Sequence, residues 1–93
     1  VKTIPQLRET AIIYVPRTRQ RDQWIAICLA YCRENGYSVE GVVDSWRDAR
    51  AALYADQADV AVVASRRHLP NHRTPRLEVV PPRFVRKVAP PAR

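Results

Sequence analysis

Ala11-Ile12-Ile13-Tyr14-Val15-Pro16 is the stretch that decides the fold. Five consecutive β-prone apolar residues closed by a proline read as a strand buried on both faces, the kind a parallel sheet requires. From about Arg19 to Asn35 the period changes. Trp24, Ile27, Cys28 and Tyr31 recur at helical spacing, with Ile25, Leu29 and Cys32 widening the stripe. Gly36, after Asn35, supplies the stop. Further on, Tyr37, Val39, Gly41 and Val43 alternate with Ser38, Glu40, Val42 and Asp44, as in a half-exposed edge strand. Trp46, Ala49, Ala52 and Leu53 mark a shorter helix, and Val60-Ala61-Val62-Val63-Ala64 a second buried strand. A loop over 65–75 leads to a short strand at Leu77-Glu78-Val79-Val80, before Pro81-Pro82. The order β-α-β-α-β-loop-β predicts a small α/β domain with a parallel, flavodoxin-like sheet and helices on its faces.

The chain has 93 residues, enough for one small domain and too few for two cores. A body of about 65–80 residues buries only roughly 60% of its unfolded surface, so a homodimer or docking on a larger partner would relieve its marginal stability. With 46% apolar and 27% charged residues it is not a disordered polyelectrolyte. No apolar run reaches the length of a membrane helix, and no membrane partner is expected. The first residues show no signal-peptide apolar region. Two cysteines four apart make no secreted disulfide framework, which points to a reducing cytoplasm.

Charge is unevenly placed. Over residues 1–65, Lys2, Arg8, Arg17, Arg19, Arg21, Arg33, Arg47 and Arg50 balance Glu9, Asp22, Glu34, Glu40, Asp44, Asp48, Asp56 and Asp59. The whole net charge of +7 therefore falls on residues 66–93, where Glu78 is the only acid. Pro70, Pro75, Pro81, Pro82, Pro90 and Pro91 lie in that same stretch. The expected organisation is an α/β body over residues 1–80 and a basic, proline-rich tail over 81–93. Apart from Lys2 and Lys87 every basic residue is Arg, whose planar fork suits phosphate or carboxylate, though a GC-rich genome gives the same bias.

Over roughly residues 11–69 the chain resembles the catalytic domain of the serine recombinases, the resolvase/invertase family. Those domains open on a strand ending in Tyr-x-Arg-x-Ser, followed by a helix ending in Tyr-Cys and a Gly-Tyr turn. The matching segments are Ile13-Tyr14-Val15-Pro16-Arg17-Thr18 and Ala30-Tyr31-Cys32-Arg33-Glu34-Asn35-Gly36-Tyr37. An edge strand ending in Asp corresponds to Val43-Asp44. A Val-rich strand running into Leu-Asp-Arg-Leu corresponds to Asp59-Val60-Ala61-Val62-Val63 and Arg66-Arg67-His68-Leu69. The resemblance implies a degenerate, truncated relative. Pro16 stands at the Arg of the first motif and Thr18 at its nucleophilic Ser. Arg67 stands at the Asp of the second and His68 at its Arg. Tyr14 and Thr18 are then relic positions of a catalytically inactive domain. The family's dimerisation helix and helix-turn-helix domain are expected to have no room in the chain.

The individual residues point the same way. Thr18, just before a helix, is expected to be its N-cap. Cys28 and Cys32 share one helical face without a His or third Cys nearby, and are expected to be reduced core residues. His68 and His72 have the spacing of metal ligands, but Arg66, Arg67 and Arg73 would repel a cation. Trp24, Tyr31 and Trp46 fit core positions better than base-stacking platforms. With only Gly36 and Gly41 there is no phosphate-cradling loop, and no cofactor is expected. One constellation remains. Loops leaving the carboxyl ends of the first and third strands should bring Arg17, Arg19 and Arg21 toward Arg66, Arg67 and His68, making an anion-binding crevice.

Three functions compete. The first is non-enzymatic nucleic-acid binding, DNA rather than RNA, through that crevice and Arg83, Arg86 and Lys87 of the tail, in a regulatory or mobile-element accessory role. The second is a protein-interaction adaptor. Leu77, Val79, Val80, Phe84, Val85 and Val88 make the tail region more apolar than a nucleic-acid arm usually is, so it lies along a partner or folds back on the body. The third, a residual Thr-dependent recombinase, nicking enzyme or small phosphohydrolase, lacks a paired acid/base constellation. The first is favoured.

Overall fold

A computed structural model describes residues 9–68 and 77–88. Its elements are β1 (Thr10–Tyr14), α1 (Arg21–Glu34), β2 (Ser38–Val43), α2 (Trp46–Tyr54), β3 (Val60–Val63), a 3₁₀ turn (Arg66–His68), β4 (Leu77–Val79) and α3 (Pro82–Val88). The strands form one parallel sheet in the order β2-β1-β3-β4. The chain steps outward from β1 to β2, then returns across β1 to β3. Right-handed crossovers in opposite directions place their helices on opposite faces.

The two faces explain the uninterrupted apolar runs. Ala11, Ile13 and Val15 of the first run and Val60, Val62 and Ala64 of the other pack against Ile27, Cys28, Tyr31 and Cys32 of α1. Ile12 and Ala61 face the other way, onto Ala49 and Ala52 of α2. A strand covered on both sides cannot afford a polar residue on either. The α/β fold class with a parallel sheet is as expected from the sequence.

β2 departs from its expected alternation. Val39 pairs with Ala11, but the next pair is Gly41 with Ile12, so Glu40 is an extra residue in a bulge. Val39 and Val42, three apart, consequently align with Ala11 and Ile13, and each is 36% exposed. Val43 packs into the cluster on the α2 face. Leu29, expected in the buried stripe of α1, is exposed.

Both long helices end in the same way. The Tyr37 N–H donates to the Cys32 carbonyl at 2.8 Å and the Gly36 N–H to the Arg33 carbonyl at 3.2 Å, with Gly36 at φ 74°. After α2 the Gln57 N–H donates to the Ala52 carbonyl at 2.9 Å and the Asp56 N–H to the Leu53 carbonyl at 3.2 Å, with Asp56 at φ 60°. These are Schellman turns, which need a left-handed residue at that position. The start of α1 corrects an expectation. Its N-cap is Gln20, without a side-chain cap bond, because Arg19-Gln20 form a turn that pushes the helix start to Arg21. Thr18 is therefore not the cap. Its backbone carbonyl, not its hydroxyl, accepts from the Arg21 N–H at 3.3 Å.

Residues 82–88, read from the sequence as part of a tail, are a helix. Pro82 opens it, where the missing N–H is no loss and the fixed φ suits a helix. The Pro81 carbonyl accepts the N–H groups of Phe84 and Val85 at 3.0 and 3.1 Å. Phe84 and Val85 pack against the α1-side core, and the Phe84 ring meets that of Tyr31 edge-on at 5.4 Å. Glu78 of β4 accepts from the Tyr31 hydroxyl at 2.6 Å and also from the Tyr37 hydroxyl. The only acid after residue 65 thus ties the last strand to α1 and to the turn before β2. Residues 89–93 of the expected tail lie outside the described residues. Among the described residues no helix is long and apolar enough to cross a membrane.

Candidate functional site

Because every strand runs the same way, the segments leaving all four carboxyl ends gather along one edge of the sheet, where ligands of such folds bind. The expected crevice residues lie in these segments, but several are engaged with the protein itself. The Arg17 Nε donates to the Asp44 carboxylate at 2.8 Å, toward the end of β2 rather than β3. That hydrogen bond and its charge hold the Asp44 carboxyl below the usual carboxylate range, with Arg21 adding to the effect, and raise Arg17. The Arg21 Nε donates to the Val15 carbonyl at 3.1 Å, closing the loop that leaves β1. Arg19 is exposed and, among the described residues, has no ion pair. Tyr14 and Thr18, expected from the resemblance to be relic positions, do different things. Tyr14 packs edge-on against Trp46 at 5.5 Å on the α2 face, and Thr18 is exposed in the β1–α1 loop.

After β3, Ser65 shapes the 3₁₀ turn that Arg66 opens. Its hydroxyl accepts the Arg67 N–H at 3.2 Å and its carbonyl the His68 N–H at 2.9 Å. Arg67 is left exposed. The His68 ring meets the Trp24 indole edge-on at 5.3 Å, and its Nδ1 is buried with no hydrogen-bond partner among the described residues. Burial pulls the His68 pKa below its ordinary value, which favours the neutral ring. Its ring packs against that of Trp24. His72, its expected companion, lies outside the described residues, as do Leu69, Arg73 and Arg76.

A groove of about 550 Å³ opens beside this turn, between the start of α1, the ends of β3 and β4, and the first turns of α3. Its apolar wall is made by Trp24, Val80, Pro81, Pro82 and Val85. Ser65, Arg67 and Arg86 supply the polar groups. The groove lies toward β4 from the crevice expected between β1 and β3, and its lining includes Arg86 but not Arg17 or Arg21. Arg86 and Arg83 are exposed on α3 without ion pairs among the described residues. Lys87, one residue on, reaches Glu34 at the far end of α1 at 3.7 Å. Arg86 and Trp24 were not recognisable as neighbours from the sequence, because their meeting depends on α3. The available signal was Pro82 followed by the apolar pair Phe84-Val85, which fits a short helix opened by proline.

Cys28 and Cys32 are buried on α1 as expected. Desolvation, with Cys32 adjacent, pushes the Cys28 thiol up to about 12, and burial beside Glu78 pushes Cys32 up to about 11. Both are inert thiols at neutral pH. Among the described residues no three or more of His, Cys, Asp and Glu cluster as metal ligands. No family model, curated protein or solved structure matches the chain.

Proposed function

We propose that this protein is a catalytically inactive, resolvase-like module that binds nucleic acid through the groove at the carboxyl ends of β3 and β4. The observation that carries the reading is the pair Arg67 and Arg86, two exposed guanidinium groups without ion pairs among the described residues, on one groove beside Trp24. Guanidinium forks with no internal partner are suited to phosphate oxygens. The net charge of +7 adds long-range attraction for a polyanion. The competing adaptor reading would use the same apolar wall, to which Val85 contributes, while Phe84 is packed against the Tyr31 ring.

The proposal includes no chemical step. Pro16, Arg67 and His68 stand where the resembled family has Arg, Asp and Arg, and a neutral His68 packed on Trp24 does not replace a phosphate-binding guanidinium. A mobility-shift assay with short single- and double-stranded DNA tests the reading. The wild type and Thr18→Ala should shift DNA equally, Arg67→Ala/Arg86→Ala should shift it much less, and no covalent protein–DNA product should form. Equal shifts by wild type and the double variant, or a covalent product lost in Thr18→Ala, would overturn it.

A further inference from the structure

We infer that the groove is built for a single unstacked base, so that the nucleic acid it prefers is single-stranded DNA. The inference rests on the reading of this groove as a nucleic-acid contact and narrows its substrate class.

The lining is the first reason. A site for backbone phosphate alone is polar throughout, with backbone N–H groups or several cations converging on one anion. Here the wall is mainly apolar, with the flat Trp24 indole and the rings of Pro81 and Pro82, and only Ser65, Arg67 and Arg86 are polar. A volume of about 550 Å³ is ample for a nucleobase. The indole is also braced. His68 stands edge-on to it at 89°, and burial favours the neutral form of that ring. An aromatic platform held by a neighbouring ring, with guanidinium groups beside it, is the arrangement by which single strands are bound: bases stack on the ring and phosphates pair with arginine.

The second reason is how few of the described cations line the groove. Duplex DNA keeps its bases stacked inside and offers a protein its phosphates and groove edges. Binding it without a recognition element needs a broad field of available cations. Among the described residues Arg17 is paired with Asp44 and Arg21 is bonded to Val15, while Arg19 and Arg83 are exposed but lie outside the groove lining. Two guanidinium groups around an apolar slot suit one or two nucleotides of a flexible strand better than a rigid duplex.

The sequence supplies its own probe, because the chain has two tryptophans. In full-length Trp46→Phe, Trp24 is the only indole. Titration with oligo(dT) is expected to quench its fluorescence, with affinity about fivefold to a hundredfold above that for a duplex of equal length. Thymidine monophosphate at the same nucleotide concentration should quench far less. Trp24→Phe, with Trp46 kept, guards against loss of folding in the first variant. It should bind oligo(dT) with no change in Trp46 emission. Duplex bound through Arg67 and Arg86 as tightly as oligo(dT), or oligo(dT) bound with Trp24 emission unchanged, would overturn the single-strand inference and leave the nucleic-acid reading standing. Equal quenching by the mononucleotide would overturn it in favour of a free nucleotide. Absence of binding to either DNA would overturn both.

Discussion

His68 illustrates how one residue's environment reverses the role its side chain suggests. In a run of arginines it reads as one more cation, yet against Trp24, with Nδ1 buried, its neutral form is the stable one. The linkage follows from that direction. The folded chain holds this proton less tightly than the unfolded chain, so its stability is complete above the unfolded value of about 6.5 and declines as pH falls below it. His68→Phe keeps a ring against Trp24 and removes the titration. Its melting temperature, followed from about pH 7.5 to 5, should fall less than that of the wild type; parallel curves would show that His68 is not desolvated. Asp56 makes a second point at this scale. It holds a left-handed backbone, φ 60°, in the Schellman turn after α2, the position Gly36 fills after α1. Asp56→Gly should stabilise the fold by about 0.5–1 kcal/mol in chemical denaturation. A loss of stability would mean that the added freedom of the unfolded chain outweighs the relief of strain.

At the scale of elements, β1 and β3 were readable because burial on both faces leaves an unbroken apolar run, and α1 because its stripe has the period of a helix. What was not readable depends on neighbours. The bulge at Glu40 arises from pairing with β1, which a single strand's alternation does not record. The late start of α1 follows from the turn at Arg19-Gln20. α3 was hidden by Pro81-Pro82 at its start, and with it Arg86 as a groove residue. Helix α3 and β4 now make two definite expectations. Glu78→Ala leaves the Tyr31 and Tyr37 hydroxyls without the acceptor they share and should cost about 1–3 kcal/mol in a denaturant titration. A neutral result would mean that water replaces the carboxylate freely. Deleting residues 81–93 removes Phe84 and Val85 from the α1-side core and should lower the melting temperature by several degrees. An unchanged melting temperature would mean that α3 contributes no packing and belongs with a solvated tail.

For the whole molecule, the doubly wound sheet does two things at once. It buries both faces of its central strands, and it collects the loops from all four carboxyl ends at one edge. Much of the positive charge near the sheet is used internally, through Arg17–Asp44 and Lys87–Glu34, so net charge alone is a poor guide to where a polyanion binds. Exposed pairs of this kind contribute little to stability. Among the described arginines without ion pairs, Arg67 and Arg86 are the two that line the groove. The most direct test is the salt dependence of binding to a labelled oligo(dT), read by fluorescence anisotropy for the wild type, Arg67→Ala/Arg86→Ala and Arg17→Ala/Lys87→Ala. If Arg67 and Arg86 each hold a phosphate, the slope of log affinity against log salt should be shallower by about 1.4 in the first variant, about 0.7 per lost contact, and nearly unchanged in the second. A slope unaltered by loss of Arg67 and Arg86, or reduced as much by loss of Arg17 and Lys87, would contradict the groove as the site of binding.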